Sequence, residues 1–297
     1  MNRLILCLLC SLALSPVAQA KSPDKAVNKG GNKSVSARPA MRIVALSPHA
    51  VEMLFAIGAG EQIVATTDYA DFPEAAKAIP RIGGYYGIQI ERVIELNPDL
   101  VVVWDTGNRS EDIEQLTKLG YRIYGSDPKT LEGIAEELEQ LGRLTGHRQQ
   151  AGEVAADYRQ QLANLRRDNA AKPEIKVFYQ LWSEPLMTVA QNSWIQQLLE
   201  VCHGNNVFKD SSSPYPQVSM ENVLLSQPEV IIKTDEKGDG KRLDWSQWQE
   251  IPAVKMEQIY TLNADLLHRA TPRALEGVEA ICKVLDKARE ANAKAKP

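Results

Sequence analysis

Two groups of residues have types and spacings that could do chemistry, and neither completes a reaction centre. His49 and Glu52 stand just after Ser47-Pro48, so on a helix they share a face and could offer a nitrogen and an oxygen to a metal ion. A helix that starts at Pro48 puts the pair in its first turn, and the simpler expectation is a solvated helix end. Ser126-Asp127-Pro128-Lys129 fits S-x-x-K, but it lies in a predicted turn without the partner motifs of penicillin-recognising enzymes. Gly58-Ala59-Gly60 closes a predicted helix and precedes a strand, the reverse of a dinucleotide fingerprint. The chain has no G-x-S-x-G, no H-E-x-x-H, no G-x-x-x-x-G-K-[ST], and no C-x-x-C after its opening segment. A hydrolase should show a nucleophile beside a base, and none is found; the chain is expected not to be an enzyme and to hold no cofactor or metal. What it offers instead is a set of rings at predicted loop and strand ends: Tyr69, Tyr85, Tyr86, Trp104, Trp182 and Tyr215. Such rings give broad, stiff contact area with a polar tip, which suits a large, partly polar ligand.

The rings are placed by a unit that occurs twice. Ile90 to Trp104 reads as an apolar helical stripe (Ile90, Val93, Ile94), a turn at Asn97-Pro98-Asp99 and a fully buried strand ending on Trp104. Met220 to Ile232 repeats it 130 positions on, aligning Glu91 with Glu221, Val93 with Val223, Pro98 with Pro228 and Asp99 with Glu229; Tyr85 and Tyr215 share the offset. Two copies at so long a period read as two similar lobes facing each other across a cleft, not as a solenoid. Each lobe alternates strand and helix, with strands predicted at residues 42–46, 63–65 and 121–124 in the first and 176–181 and 259–262 in the second. The predicted fold class is therefore α/β with two Rossmann-like lobes. Trp104 and Asp105 sit at a strand's carboxyl end, where open α/β sheets place ligands. Between the repeats the chain turns helical from Leu131 to about Asn169, divided at Thr145-Gly146; the second helix, long and polar on most faces, is the predicted rigid connector. The boundaries that follow are 41–146 for the N-terminal lobe, 147–172 for the connecting helix and 173–297 for the C-terminal lobe.

Residues 1–20 carry Arg3, an apolar run from Leu4 to Leu14 and Ala18-Gln19-Ala20, the pattern of a cleaved secretory signal peptide. Residues 21–40, rich in Lys, Ser, Asn, Gly and Pro, are predicted to be a flexible tether. Removing the signal leaves only Cys202 and Cys282, an even count in an oxidising compartment, and they are expected to form one disulfide between two helices of the second lobe. A metal site would need more ligands than two cysteines and four scattered histidines (His49, His147, His203, His268) readily supply. With 34 basic against 38 acidic residues, a net charge of −4 and no basic block beyond the tether, nucleic acid is excluded as a partner.

Five stretches resemble the periplasmic vitamin B12-binding proteins that serve cobalamin ABC importers: Arg42 to Gly60, Ile90 to Val103, Cys202 to Phe208, Pro214 to Glu221 and Arg269 to Arg273. The resemblance runs from about residue 41 to 285. Its first two stretches are shared with siderophore and haem carriers; the cysteine pair and the Pro-Tyr-Pro-Gln-Val-Ser loop lean towards cobalamin. It implies two α/β lobes joined by one long rigid helix, with the ligand between them. It further implies a periplasmic monomer that captures cobalamin and delivers it to the membrane subunits of a cognate ABC transporter, with a haem or ferric-siderophore carrier as the alternative. By the same resemblance Tyr69, Tyr85, Trp104, Tyr215 and the segment Asp265-Leu266-Leu267-His268-Arg269 face the corrinoid. Glu91 and Glu221, one on each lobe, would meet arginines of the transporter. Tyr85 and Tyr215 stand where those proteins commonly have Trp, and Leu266-Leu267 replace an aromatic pair.

Overall fold

A run such as Val101-Val102-Val103 has no polar face to show to water, so it forms a strand only where both faces are covered, as in a parallel sheet between helices. The computed structural model, which describes residues 38–235 and 243–295, builds two such sheets. The first lobe runs β1 (Ile43–Ala45), α1 (Pro48–Ala56), β2 (Ile63–Thr66), the short hairpin β3 (Gly83–Gly84) and β4 (Gly87–Ile88), α2 (Ile90–Leu96), β5 (Leu100–Trp104), α3 (Ser110–Lys118), β6 (Ile123–Ser126) and α4 (Leu131–Thr145). Next comes α5 (Arg148–Asn169). The second lobe runs β7 (Ile175–Gln180), the hairpin β8 (Trp182–Ser183) and β9 (Leu186–Met187), α6 (Trp194–Val201), β10 (Gly204–Asn206), α7 (Met220–Ser226), β11 (Val230–Thr234), α8 (Pro252–Lys255), β12 (Ile259–Leu262), α9 (Ala264–His268) and α10 (Ala274–Ala295). The sheet orders are β2-β1-β5-β6 and β10-β7-β11-β12, parallel throughout. Strand for strand these are the same topology, so the repeat seen in the sequence is a repeat of fold.

The repeated turn has a structural task in both lobes. The residue that ends each helix, Asn97 after α2 and Gln227 after α7, is left-handed (φ 44° and 48°), which turns the chain back towards the sheet. The acid after the proline then caps the neighbouring strand. Asp99 accepts from the N–H groups of Met41 and Arg42 at 2.9 and 3.0 Å, and Glu229 accepts from that of Lys176 at 2.8 Å. Their own N–H groups donate to the carbonyls of Arg42 and Lys176, so each acid locks the start of one inner strand to the next.

One apolar cluster passes through both lobes. It runs from Ile43 and Leu54 through Leu138 of α4 and Tyr158 and Leu162 of α5 to Tyr179, Leu199 and Ile281. In α5 the buried positions Ala151, Ala155, Tyr158 and Leu162 recur at three- and four-residue steps, a single stripe laid on α4, α6 and α10. The helix has 22 residues, about 33 Å at 1.5 Å per residue. Such a strut, continuous with both cores, resists bending. Separate clusters fill the outer face of each sheet, around Val93 and Val101 in the first and Phe178 and Trp245 in the second.

Two expectations shift. The strand predicted at 121–124 begins at Ile123, because Gly120 is left-handed (φ 84°) and the Tyr121 N–H still bonds Leu116 to close α3. The signal segment 1–20 and tether residues 21–37 lie outside the described residues, but 38–40 are not tether. Ala40 is buried and donates to the Leu144 carbonyl at 2.8 Å. Cys202 caps α6, just past the predicted helix, so the bridge leaves from the helix end. Among the described residues no helix is long and apolar enough to cross a membrane.

The disulfide joins Cys202 to Cys282 of α10 across 80 residues of chain. Reducing it, or replacing both cysteines with Ala, is expected to lower unfolding stability by about 2–4 kcal/mol by freeing the unfolded chain, read as a lower midpoint in denaturant titrations with and without reductant.

Candidate functional site

The rings gather at the carboxyl ends of the two sheets. The long connection after β2 carries Tyr69 and Tyr85; the matching connection after β10 carries Tyr215, held by bonds from the Thr188 and Ala190 N–H groups to the carbonyls of Pro216 and Pro214. Trp104 ends β5 and Trp182 opens β8 just past β7. Large aromatics normally seek the core, yet Tyr69, Tyr85, Tyr215 and Trp104 are 69, 77, 45 and 37 % exposed. They are held in place without being buried. Tyr69 sits in left-handed backbone (φ 63°), unusual for an aromatic, and its carbonyl is fixed by Arg269 Nη2 at 3.2 Å and the Asp71 N–H at 3.0 Å. Tyr85 packs edge-to-face on Tyr86 at 5.6 Å, whose hydroxyl donates to Asp68 at 3.0 Å; that bond and the carboxylate's charge raise the Tyr86 pKa. Trp104 lies over Gly107, where any Cβ would come within 2.0 Å of the indole, and the Trp104 backbone N–H donates to Asn108 Oδ1. Its indole meets His49 edge-to-face at 5.5 Å.

The expectation for His49 and Glu52 is overturned: neither is solvated. The apolar cluster covers α1 on one side, and arginines from the opposite lobe cover Glu52, whose side chain is 2 % exposed. Arg273 forks onto it, Nε to Oε2 at 2.9 Å and Nη2 to Oε1 at 2.8 Å, while Arg269 Nη1 reaches Oε1 at 2.8 Å. Arg269 also pairs with Asp71 at 3.0 Å and Asp265 at 2.8 Å, and Arg273 stacks 3.6 Å over the Phe72 ring. Two guanidiniums of the second lobe thus converge on one carboxylate of the first. His49 Nε2 lies 2.8 Å from Ser126 Oγ, and Ser126 in turn bonds Glu137 of α4, so the S-x-x-K serine is a buried hydrogen-bond partner, not an exposed turn residue.

The segment after β12 divides. Asp265 and Arg269 come together beside Tyr69, but Arg269 is engaged by three acids and a carbonyl, a clamp between lobes more than a free ligand contact. Leu267 is fully buried in the shared core and takes the Trp194 indole N–H on its carbonyl, so it does not face a ligand. Its place is dictated by the short helix α9, which turns Leu267 inward while Leu266 stays half-buried. His268 reaches solvent as a residue, but its Nε2 lies 2.8 Å from the buried Tyr179 hydroxyl; desolvation there lowers its pKa although Asp265 and Asp235 favour the charged form. Sequence reasoning singled out His49, Glu52 and Ser126 but missed their partners Arg273 and Glu137 and the bonds that join them. The available signal was the Arg269/Arg273 spacing of one helical turn, a pair of cations that needs a common anion.

Removing one member of a buried ion cluster leaves the others charged without partners. Glu52→Gln is therefore expected to cost about 3–5 kcal/mol of stability, seen as a drop of several degrees or more in the melting temperature. Asp265→Asn, at the cluster's wet edge, should cost well under half as much.

This arrangement has close parallels. The profile described as periplasmic binding protein matches residues 43–266. A vitamin B12-binding protein of Vibrio cholerae serotype O1 is 41 % identical over 248 residues, covering 83 % of this chain and 90 % of its own. Another, from Photorhabdus laumondii, is 35 % identical over 246 residues, 83 % of this chain and 88 % of its own. The crystal structure of the periplasmic vitamin B12-binding protein of Vibrio cholerae superposes with a TM-score of 0.77 at 40 % identity, covering 84 % of this chain and 98 % of that one. The haem-binding protein of Roseiflexus, at 22 % identity and a TM-score of 0.74, shares the fold. With the two lobes, the long helix and the ring-lined sheet ends in place, the chain belongs to the periplasmic binding protein family, in the branch that holds the vitamin B12-binding proteins of Vibrio and Photorhabdus.

Proposed function

We propose that the protein captures cobalamin in the periplasm, between its two lobes, and hands it to an ABC importer. The observation that carries the reading is the set of exposed rings, Tyr69, Tyr85, Trp104 and Tyr215, at corresponding sheet ends of both lobes. A corrinoid is a broad ring system edged with amides, and rings with polar tips meet both parts of it. Kinship with vitamin B12-binding proteins supports the same ligand. In this reading residues 41–146 and 173–297 are the capturing lobes and 147–172 the strut. The site is preformed, since α5, the shared core and the Glu52 cluster all hold the lobes at a fixed spacing, and a preformed site loses little freedom on binding. The protein works as a binder and not as an enzyme, and cobalamin is cargo. A signal peptide over residues 1–20 takes the chain to the periplasm.

Glu91 and Glu221 are both exposed, near the start of α2 and α7. Each shares a helix face with an exposed apolar residue one turn on, Ile94 at 48 % and Leu225 at 75 % exposure. An acid beside an apolar side chain, once on each lobe, fits a two-fold membrane partner that offers a cation and an apolar groove at each docking point. The protein acts as a monomer against that pair.

Calorimetric titration with cyanocobalamin, haem and ferric siderophores tests the ligand: cyanocobalamin should bind, and binding of haem or a siderophore alone would replace it with the related carrier function. Replacing Tyr85, Trp104 or Tyr215 with Ala should weaken cyanocobalamin binding by roughly 1–3 kcal/mol and leave the melting temperature nearly unchanged. A Glu91→Lys/Glu221→Lys double variant should keep ligand affinity within about twofold while losing delivery, because like charges across an interface disfavour docking by several kcal/mol. Normal uptake by that variant, measured with radiolabelled cobalamin, would show that the paired acids have another task.

A further inference from the structure

Beneath Trp104 lies a buried polar chain that the capture of a ligand does not by itself require. Three elements contribute: His49 from α1, Ser126 from the end of β6 and Glu137 from α4, each nine-tenths or more buried. His49 Nε2 is 2.8 Å from Ser126 Oγ, and Ser126 is hydrogen-bonded to Glu137 Oε1. On its other side the imidazole meets the Trp104 indole edge-to-face. The indole has nowhere to retreat, since it rests against Gly107 at a distance that admits no Cβ.

We propose that His49, Ser126 and Glu137 are positioning residues for Trp104, a buried chain whose hydrogen-bond direction sets the polarity of the imidazole against the indole and so tunes ligand affinity. This rests on the reading of Trp104 as a ring of the ligand cleft. The argument is one of donor counting. Ser126 has a single hydroxyl proton. When Glu137 is ionised it only accepts, so the hydroxyl must donate to it, and His49 must then offer an Nε2–H. When Glu137 carries a proton it can donate to Ser126, which frees the hydroxyl to donate to Nε2 and leaves the imidazole proton on Nδ1. Protonation at Glu137 therefore moves the proton of a neutral ring across the face that Trp104 meets. An edge-to-face pair depends on where the positive edge lies, so the indole is held differently in the two states.

The surrounding charges allow the switch to work at ordinary pH. Burial raises the Glu137 carboxyl to about 7, helped by the charges of Asp127 and Asp105, against the Ser126 bond and the Asp127 backbone. Tyr124, on β6, feels the Glu137 charge, and Arg143 of α4 faces Tyr124. Burial lowers His49 to about 4 with a small push from Arg269, against the Ser126 backbone and the charges of Asp127 and Glu52, so the ring is neutral over this range. Global stability hides the event. The folded Glu137 carboxyl titrates above its ordinary 4.5, so its contribution falls as pH rises from there to about 7. The folded His49 titrates below its ordinary 6.5, so its contribution grows as pH rises from about 4 to there. The two slopes oppose each other over nearly the same window, and only a local probe sees the chain.

The test uses the full mature protein, labelled with nitrogen-15, at about pH 5.5 and about pH 8, on either side of the Glu137 transition. In ligand-free protein the His49 ring should carry its proton on Nδ1 at the lower pH and on Nε2 at the higher. The Trp104 indole N–H signal, assigned by its loss in Trp104→Phe, should move with the same midpoint. The Kd for cyanocobalamin should change by roughly two- to tenfold between the two conditions, the range of one aromatic pair. Glu137→Gln, which cannot ionise, and Ser126→Ala, which breaks the chain, should each hold one tautomer and one Kd at both pH values; either suffices should the other fail to fold. A His49 tautomer that stays fixed while Glu137 titrates overturns the proposal, as does a wild-type pH dependence of Kd in both variants. If cyanocobalamin binds at neither pH, the cleft reading and the affinity half of the proposal fall together, and the two ligand-free signals still decide whether the chain positions Trp104.

Discussion

A single buried carboxylate holds the two halves of this protein in register. Glu52 belongs to the first helix of the first lobe, and the guanidiniums that meet it, Arg269 and Arg273, come from the segment that leads into the last helix of the second. Their charges are largely screened from salt and competing water, so the geometry is enforced more strictly than a surface pair could enforce it. The energy of assembling such a cluster is not its main consequence. A buried ion set tolerates one arrangement, and that arrangement brings the Tyr69 carbonyl, Asp71 and Asp265 to the same guanidinium. The loop that carries Tyr69 is thus built against the opposite lobe, and the left-handed backbone at Tyr69 is held where both lobes need it.

Much of the architecture was legible in the sequence because it rests on local periodicity. Alternating runs of β-branched residues and three- and four-step apolar stripes gave the α/β class. The doubled Asn97-Pro98-Asp99 and Gln227-Pro228-Glu229 turns gave the two lobes, and their bonds to the neighbouring strands explain why an acid recurs there. The disulfide followed from counting. What was not legible depends on partners remote in sequence. His49 and Glu52 read as a solvated turn because nothing within a helix's reach covers them; their cover comes from Ser126 and from arginines more than 200 positions away. Leu267 was assigned to the ligand on family pattern alone, and a short helix turns it into the core. That the rings stay exposed was legible, since a residue kept out of the core leaves its mark in loop composition.

The protein contains two buried glutamates that illustrate how surroundings decide the role of one residue type. Glu52 is met by two cations and by hydrogen bonds to both oxygens, so its charge is satisfied where it stands and it serves as a joint. Glu137 has no cation within its own bonds; its hydrogen-bond partners are the Ser126 hydroxyl and the Asp127 backbone, and the charges it feels are those of acids. A carboxyl in that setting is costly to ionise and close to balance between its two forms. The first is a joint because guanidiniums fill its bonding positions, and the second is not, because the groups bonded to it carry no positive charge. One acid thus joins the lobes, and the other ends the polar chain behind Trp104. The same α1 carries both arrangements three residues apart, His49 facing its own lobe and Glu52 facing the opposite one, so one helix anchors both the joint between lobes and the packing beneath Trp104.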